Sequence, residues 1–238
     1  MYLCHLKKSM SEIVLQAAGL TRSYVSGSKS LTVLDNVSFS VSKGESVSVV
    51  GPSGSGKTTL LGLCAGLDLP TSGDITLMGL PIHAMDEDDR AWMRNQSVGF
   101  IFQNFQLLPA LTALENVMIP AELRKLPDAR QRAEALLERV GLRDRMDHYP
   151  SQLSGGEQQR VAVARAFVTD PAIVFADEPT GNLDEANAEQ ITELLFTMNR
   201  ERGTTLVVVT HNLELARMTG RIIEMKGGKI ISESVTEA

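Results

Sequence analysis

An octapeptide in the first quarter of the chain is the clearest indication of the fold. It reads Gly51-Pro52-Ser53-Gly54-Ser55-Gly56-Lys57-Thr58 and fits the pattern G-x-x-x-x-G-K-[ST]. An apolar run over residues 46–50 precedes it. A helical period follows it, with four apolar residues on one face: Leu60, Leu63, Cys64 and Leu67. A strand, a tight turn and a helix are therefore predicted in that order.

The residue types in this octapeptide point to phosphate chemistry. Glycines allow successive backbone N–H groups to turn toward phosphate oxygens, and a helix start adds the positive end of its dipole. Lys57 supplies a positive charge near the β- and γ-phosphates, and the Thr58 hydroxyl is suited to Mg²⁺. A glycine-rich turn without a ligand is the plain alternative. The strand and helix on either side favour a nucleoside triphosphate site.

Strands and helices alternate along the rest of the chain. The apolar runs that predict strands are residues 13–17, 34–41, 46–50, 98–102, 173–176 and 206–209. Helical periods cover residues 130–140 and 186–200, and no strand pattern occurs between Phe105 and Val168. This order is typical of an α/β protein with a parallel sheet, a β-rich N-terminal part and a helical insert.

Composition narrows the class of protein. The 238 residues are 43% hydrophobic and 22% charged, which is typical of a globular protein and excludes fibrous and low-complexity chains. The net charge of −6 gives no general attraction for phosphodiester backbones, so no nucleic acid partner is predicted. Cys4 and Cys64 imply no disulfide framework, and no apolar run reaches the roughly 18 residues of a membrane span. A reducing cytosol fits best. Residues 1–9 are expected to form a weakly ordered extension, with Met10 as an alternative start.

Polar residues follow the predicted strands of the core. They are Gly51, Gln103, Asp177 with Glu178, and Thr210 with His211. Because the carboxyl ends of parallel strands meet at one edge of a sheet, we expect them to face one triphosphate. Asp177 is placed to hold Mg²⁺ and Glu178 to polarise an attacking water. The structural alternatives are a loop start or helix cap for the acidic pair, and a capping or core role for His211.

A second segment has an unusual helix start. Ser154-Gly155-Gly156-Glu157 contains the capping box S-x-x-E. The plain interpretation is a good N-terminus, but two glycines in the first turn cost about 1 kcal/mol each relative to alanine. Bare N–H groups at a positive helix end form an anion site. A second anion site in a chain with one phosphate loop suggests two chains that share nucleotides.

Together these segments resemble the ATP-binding subunit of ABC transporters over about residues 11–230. The matching segments, in the family's order, are the phosphate loop 51–58, Gln103, the signature 153–160, Asp177-Glu178, the turn 182–184 and His211. The resemblance implies an α/β P-loop NTPase (RecA-like) with a parallel-sheet core, an N-terminal antiparallel β subdomain and a helical insert carrying the signature. It implies one ABC ATPase domain over residues 10–238, with its core at about 10–103 and 166–238 and its helical subdomain at about 104–165.

The resemblance also implies ATP and Mg²⁺ as cofactors and a second copy of the chain as partner in an ATP-sandwich homodimer. The implied nucleotide contacts are Tyr24, Gly51, Ser53, Gly54, Ser55, Gly56, Lys57, Thr58 and Thr59, and Ser154, Gly155, Gly156 and Asp184 toward the opposite site. The implied Mg²⁺ ligands are Thr58, Gln103 and Asp177. The implied catalytic set is Glu178 as general base, His211 against the γ-phosphate, Gln103 and Lys57. Tyr24 would stack on adenine, with an ordinary sheet-edge tyrosine as the alternative.

Finer similarities suggest a subgroup. Residues 102–117 and 176–184 are similar to the lipoprotein-release and macrolide-efflux group, and residues 81–94 are similar to a bacterial member whose partner is an FtsX-like permease. The turn Thr180-Gly181-Asn182-Leu183-Asp184 replaces the serine-alanine start that is common in many transporters, and this replacement is usual for the group just named. This similarity implies an integral membrane permease as partner, a location on the cytoplasmic face of the bacterial inner membrane, and export or lipoprotein extraction. The alternatives are a soluble ABC ATPase of DNA repair or translation, and a kinase, which does not need the signature.

Two further segments have open interpretations. Apolar residues beside Gln103 form either a groove for a partner's short helix or buried core: Phe105, Leu107, Leu108 and Leu111. The charged run 85–90 is predicted to be an acidic, solvated helix start.

Overall fold

The computed structural model describes residues 12–26 and 29–236. The predicted extension, residues 1–9, lies outside these residues. In the described part of the chain the strands are β1 Ile13–Ser26, β2 Lys29–Ser42, β3 Ser46–Val50, β4 Ser72–Leu77, β5 Leu80–Pro81, β6 Val98–Phe102, β7 Ile173–Asp177, β8 Thr205–Thr210, β9 Arg221–Lys226 and β10 Lys229–Val235. The α-helices are α1 Lys57–Cys64, α2 Glu87–Ser97, α3 Ala113–Leu123, α4 Ala129–Arg139, α5 Gly155–Phe167, α6 Glu185–Arg202 and α7 Leu213–Arg217.

Two sheets form the β structure. The first is antiparallel, with the order β2-β1-β4-β5. The second has the order β10-β9-β3-β8-β7-β6, and its five strands from β9 to β6 run parallel while β10 is antiparallel at one edge. The predicted α/β class with an N-terminal antiparallel sheet is therefore confirmed.

The central strands are apolar because both of their faces are covered. β8 is buried along its whole length, and β3 and β7 are buried except at one end. On one side a core shared with α1 and the antiparallel sheet includes Leu15, Leu60 and Phe175. On the other side a second core joins the sheet to helices α3, α4, α5 and α6.

The helical insert is also present as predicted. Helices α3, α4 and α5 follow one another, and no strand occurs among the residues between Phe105 and Val168. Its apolar residues pack inward at helical spacing, as with Ala133, Leu136 and Leu137 of α4. The bounds of these helices do not define the limits of a subdomain. The limits of 104 and 165 stay a prediction.

The structure corrects the prediction at several elements. Strand β4 and the hairpin of β9 and β10 were not predicted. Only a few of their residues are buried, so their sequences lack a clear apolar run or alternation. The predicted helical face after the phosphate loop is too long: α1 ends at Cys64, and Leu67 lies beyond it with 48% of its surface exposed. Gly66, in the left-handed conformation with φ 69°, turns the chain away before Leu67.

Candidate nucleotide site

A cleft of about 760 Å³ lies beyond the carboxyl ends of the parallel strands. Its lining is Leu31, Val33, Ser53, Gly54, Gly56, Lys57, Thr58, Thr59, Gln103, Glu178 and His211. Strand register explains why distant residues meet there. Val50 pairs with Thr210, and Asp177 pairs with both Phe102 and Val209, so the residues that follow these strands emerge side by side. The structure thus brings Gln103, Glu178 and His211 to the phosphate loop.

The loop backbone depends on two glycines that no other residue could replace. Gly56, the N-cap of α1, has φ 96°, and a Cβ there would lie 2.8 Å from the carbonyl oxygen of Val33. Gly51 has φ 155°, and a Cβ would overlap the Met225 carbonyl. The C-terminal hairpin supports the loop again where the Gly228 N–H donates to the Ser55 carbonyl at 3.2 Å. The loop is therefore held open against β9 and the turn that follows it.

Two side chains of the loop are buried. Lys57 is 8% exposed, and its Nζ donates to the carbonyl oxygens of Gly51 at 2.9 Å and Pro52 at 3.1 Å. The Ser55 hydroxyl is buried and has no hydrogen-bond partner among the described residues. Buried polar groups in native proteins are normally paired, so an unpaired hydroxyl in this loop suits a polar ligand.

Thr58 and Asp177 face each other at the end of β7. The Thr58 hydroxyl donates to Asp177 Oδ1 at 3.1 Å. Burial raises the pKa of the Asp177 carboxyl, and the Thr58 hydrogen bond opposes this only in part. Together they offer a hydroxyl and a carboxylate oxygen, the hard donors that Mg²⁺ prefers beside phosphate. The described residues contain no cluster of three or more His, Cys, Asp or Glu side chains able to hold a metal by themselves.

Glu178 is fixed by both of its carboxylate oxygens. Oε1 lies 2.9 Å from His211 Nδ1, and Oε2 accepts from the Thr210 hydroxyl at 3.2 Å and from the His211 N–H at 3.3 Å. The Glu178 side chain is 15% exposed, whereas that of His211 is 70% exposed. Glu178 has φ 45°, a left-handed conformation that is uncommon for a residue with a side chain. Such strain is concentrated at functional sites.

Gln103 is tied to the turn after β7. Its Nε2 donates to Asn182 Oδ1 at 3.1 Å, while Asn182 Nδ2 donates to the Gln103 carbonyl at 3.0 Å and to Asn104 Oδ1 at 2.8 Å. Asn182 was predicted to lie in the turn 182–184 that resembles the family, and no contact was predicted for it. No local pattern links two residues 79 positions apart, so only the structure shows this pair.

Ser154 starts α5 with the predicted capping box. Its hydroxyl accepts from the Glu157 N–H at 3.3 Å, and Glu157 Oε2 accepts from the Ser154 N–H at 2.8 Å. The hydrogen bond from the Ser154 backbone N–H, and after it one from the Ser154 side chain, lower the pKa of the Glu157 carboxyl. Gly156 has a packing reason as well, because a Cβ there would overlap Oδ1 of Asn187. Packing against Asn187 therefore accounts for Gly156 without an anion, but it does not account for Gly155.

Asp184 caps the neighbouring helix. Its Oδ1 accepts from the Asn187 N–H at 3.0 Å and its Oδ2 from Asn187 Nδ2 at 2.6 Å, and these bonds lower its pKa. Like the three residues Ser154, Gly155 and Gly156, Asp184 is not among the described residues that line the cleft. The lining of the cleft thus includes residues of the phosphate loop but none of the predicted signature.

Tyr24 lies on β1 and is 43% exposed. The Arg22 guanidinium covers one face of its ring at 4.6 Å from the centroid, and Arg22 also pairs with Asp68 at 2.7 Å. Tyr24 does not line the cleft in the described structure, whereas Leu31 and Val33 of β2 do. Sequence reasoning missed these two because the predicted strand began only at residue 34, although i and i+2 positions on a strand share one face.

The segment after Gln103 was predicted to be either a groove for a partner's helix or part of the core, and the structure shows one residue of each kind. Leu107 packs on the second core, and Leu108 is exposed. The buried Asn116 side chain holds this segment by donating to the Leu108 carbonyl at 3.1 Å and accepting from its N–H at 2.7 Å. Arg165 of α5 donates to the carbonyl oxygens of Phe105 and Gln106, two successive residues with positive φ.

The predicted helix start at residues 85–90 is confirmed. Asp86 caps α2, and the first turn contains Glu87, Asp88 and Asp89. Arg90 and Arg94 of the same helix pair with Glu87 and lower the pKa of its carboxyl. The acidic run therefore has a structural role in helix α2.

Comparison with known protein families shows to which family the chain belongs. The family model described as ABC transporter matches residues 34–181, which is more than half of the chain. The chain belongs to the ABC transporter family. It is an ATP-binding subunit of that family and an ATPase.

Individual relatives are similar over nearly their full length. The chain is 50% identical over 226 residues to the uncharacterized ABC transporter ATP-binding protein YbbA of Escherichia coli (strain K12), covering 94% of this chain and 99% of YbbA. It is 49% identical over 229 residues to the lipoprotein-releasing system ATP-binding protein LolD of Hydrogenovibrio crunogenus (strain DSM 25203 / XCL-2), covering 95% and 100%.

Solved structures show the same fold. A dimeric structure of a post-hydrolysis state of the ATP-binding cassette MJ0796, bound to ADP and Pi, is 40% identical with a TM-score of 0.88, covering 94% of this chain and 99% of that one. The cbiO1 protein of Clostridium perfringens, part of the ABC transporter complex cbiONQ, is 28% identical with a TM-score of 0.83, covering 94% and 89%. In the described part of this chain, no helix is both long and apolar enough to cross a membrane.

Proposed function

We propose that two copies of this chain close head to tail over two ATP molecules, so that the phosphate loop of one copy faces Ser154, Gly155 and Gly156 of the other. The observation that carries this proposal is that the lining of the cleft includes the phosphate loop but not the signature of the same chain. The cleft contains the phosphate loop, Gln103, Glu178 and His211 but not the start of α5, where Ser154 and Gly155 are exposed. The dimeric state of the similar MJ0796 cassette supports a dimer of this chain.

Within one site the loop holds the triphosphate. Lys57 exchanges its carbonyl partners for the β- and γ-phosphates, and the loop residues from Gly51 to Thr59 surround them with N–H and hydroxyl donors. Tyr24 offers the ring face opposite Arg22 to adenine, beside Leu31 and Val33. Asp184 and the start of α5 contact the opposite site.

Mg²⁺ fits the oxygen donors present. Thr58 and Asp177 would hold it together with the phosphates, and Gln103 would add its amide oxygen from the next strand. The ion supplies charge neutralisation for the transferred phosphoryl group. The raised pKa of Asp177 describes the chain without a cation, and a nearby cation favours the charged carboxylate.

Glu178 is proposed as the general base and His211 as the γ-phosphate contact. Glu178 is shielded and fixed by Thr210 and His211, which suits a group that must orient one water. His211 is exposed at the cleft, where it can contact both the carboxylate and the phosphate. Catalysis is then mainly positioning and charge stabilisation in a closed site.

We further propose that the partner is a separately encoded FtsX-like permease, and that the pair works from the cytoplasmic face of the bacterial inner membrane in export or lipoprotein extraction. The name and near-full-length similarity of LolD support this direction. The exposed Leu108, in the segment that follows Gln103, offers the permease an apolar contact. A soluble role in DNA repair or translation is not favoured, since LolD and YbbA are both named as subunits of transport systems.

The decisive test of the ATPase assignment is Glu178→Gln. This variant keeps the shape of the side chain, so it should bind ATP, lose at least 100-fold in kcat and elute as a dimer with ATP. Glu193→Gln, an exposed position on α6, is the matched control and should behave as the parent. Parent-like hydrolysis by Glu178→Gln would rule out Glu178 as the base.

The permease proposal is tested by isolation in mild detergent. The chain should copurify with an FtsX-like membrane protein, and reconstitution of the pair should raise its ATPase rate. Release of a lipid-modified protein from those vesicles in the presence of ATP would support lipoprotein extraction. Association with ribosomes or DNA in place of a membrane protein would contradict the proposal.

A further inference from the structure

The side-chain amide of Gln103 is oriented by a residue on another strand's turn. Asn182 makes three hydrogen bonds to residues 103 and 104: it donates to the Gln103 carbonyl and to Asn104 Oδ1, and it accepts from Gln103 Nε2 at 3.1 Å. The two Nδ2 bonds fix the Asn182 amide so that its Oδ1 faces Gln103. The amide groups are therefore held in one mutual orientation.

This orientation has a chemical consequence for Gln103. An amide has a donor end, which cannot ligate a cation, and an acceptor end, which can. The bond to Asn182 uses the donor end, Nε2, and leaves Oε1 as the end available to a cation in the cleft that Gln103 lines. Rotation of the amide by half a turn would place two acceptor oxygens, Gln103 Oε1 and Asn182 Oδ1, against each other.

Gly181 supplies a second and independent observation. A Cβ at Gly181 would lie 2.9 Å from Gln103 Nε2, 3.3 Å from its Cδ and 3.4 Å from its Cγ. Any larger residue at 181 would thus push the Gln103 amide out of its place. The consecutive residues Gly181 and Asn182 act together, because the first makes room for the amide and the second holds it.

From these contacts we infer that Asn182 is a positioning residue for the metal site, which holds Gln103 with Oε1 directed to the divalent cation of the bound nucleotide. The inference rests on the proposed function, in which Gln103 is a ligand of that cation. Residues that orient a metal ligand typically affect metal affinity by about 10- to 100-fold. Asn182 would act only through Gln103.

The test measures cation affinity rather than turnover. In a Glu178→Gln background, which does not hydrolyse ATP, binding of Mn²⁺ to the protein–ATP complex is followed by the loss of the free Mn²⁺ EPR signal. Asn182→Ala should weaken Mn²⁺ binding by about 10-fold. ATP affinity measured in EDTA should stay within twofold. Asn182→Asp, which keeps the acceptor for Nε2 but loses both donated bonds, should give a smaller loss.

Gln103→Ala completes a double-mutant cycle. If Asn182 acts through Gln103, Gln103→Ala and the double variant should have equal Mn²⁺ affinities. An additional loss in the double variant, or parent affinity in Asn182→Ala, overturns the inference while the ATPase proposal stands. Parent affinity in Gln103→Ala instead removes the metal role of Gln103 itself, and the inference falls with it.

A direct readout of the contact does not need nucleotide. The side-chain NH₂ resonances of Gln103, identified by their absence in Gln103→Glu, should move and exchange faster with solvent in Asn182→Ala and in Gly181→Ser. Matched thermal unfolding curves show whether each variant is folded. An unchanged Gln103 amide in a folded Asn182→Ala protein would contradict the proposed contact even if another variant does not fold.

Discussion

Glu178 and His211 form one hydrogen-bonded unit at the cleft, with Glu178 Oε1 2.9 Å from His211 Nδ1 and Oε2 3.3 Å from the His211 backbone N–H. Glu178 directly follows strand β7, His211 directly follows the neighbouring strand β8, and the Glu178 N–H donates to the Val209 carbonyl at 2.8 Å. The left-handed backbone of Glu178 is thus stabilised by the same strand that carries its side-chain partner. Side-chain and backbone hydrogen bonds therefore hold Glu178 and His211 in one mutual position.

Replacing His211 by alanine should reduce turnover far more than binding. The substitution removes the ring beside Glu178 and, in the proposed function, a donor to the γ-phosphate, so kcat should fall about 100- to 1000-fold, while ATP affinity changes little. His148→Ala, in the helical insert, serves as the control. A kcat within threefold of the parent would show that His211 has no part in hydrolysis.

Gly156→Ala should destabilise the chain without nucleotide, and Gly155→Ala should not. A Cβ at Gly156 would overlap the Asn187 amide, whereas one at Gly155 would find ordinary contacts at 3.7 Å. The expected cost at Gly156 is about 1–3 kcal/mol. Thermal unfolding measures the difference, and Asn187→Ala in the same chain should recover part of the loss. Equal melting temperatures for the two alanine variants would contradict the packing argument.

Asp177→Asn should raise the stability of the nucleotide-free protein at neutral pH. Burial raises the pKa of Asp177, so the folded state favours the protonated carboxyl. The stability from protonation is fully present below the unfolded pKa and is lost as pH rises through the folded pKa. The neutral amide avoids that loss and can still accept from Thr58.

Scanning calorimetry between pH 4 and pH 8 checks this dependence. The Tm advantage of Asp177→Asn should be largest at about pH 8 and shrink toward acid pH. Asp144→Asn, in an exposed single turn of 3₁₀ helix, should show no such trend. A lower Tm for Asp177→Asn at pH 8 would contradict the assigned cause.

Cys64 should be inert toward thiol reagents in the folded protein. It is buried in α1, and burial raises the pKa of its thiol to about 12, so almost no thiolate is present at pH 8. In a Cys4→Ser background, reaction with a disulfide reagent should appear only on addition of denaturant. Fast labelling of the native variant would indicate that α1 opens locally.

Sequence patterns predicted the parts of this molecule that are local. The phosphate loop, the capping box at Ser154 and the strand ends follow from residue types at short spacing, so they were found without the fold. Convergence of Gln103, Glu178 and His211 also followed, because all parallel strands end at one edge of a sheet.

Contacts between distant segments could not be predicted in the same way. The bond of Gln103 to Asn182, the closeness of Gly156 to Asn187 and the stacking of Arg22 on Tyr24 depend on how the elements pack. The glycines at 155 and 156 show the limit most clearly. Their helix cost suggested a ligand, whereas one of them is also required by a neighbouring side chain.

The support of the phosphate loop by Met225 and Gly228 has a consequence for biosynthesis. During translation, Met225 and Gly228 are added after His211, which is the last of the described residues that line the cleft. The nascent chain therefore contains all the described residues that line the cleft before the residues that support the phosphate loop have been translated. A chain whose final hairpin is still inside the ribosome therefore lacks the residues against which the backbone of the phosphate loop packs.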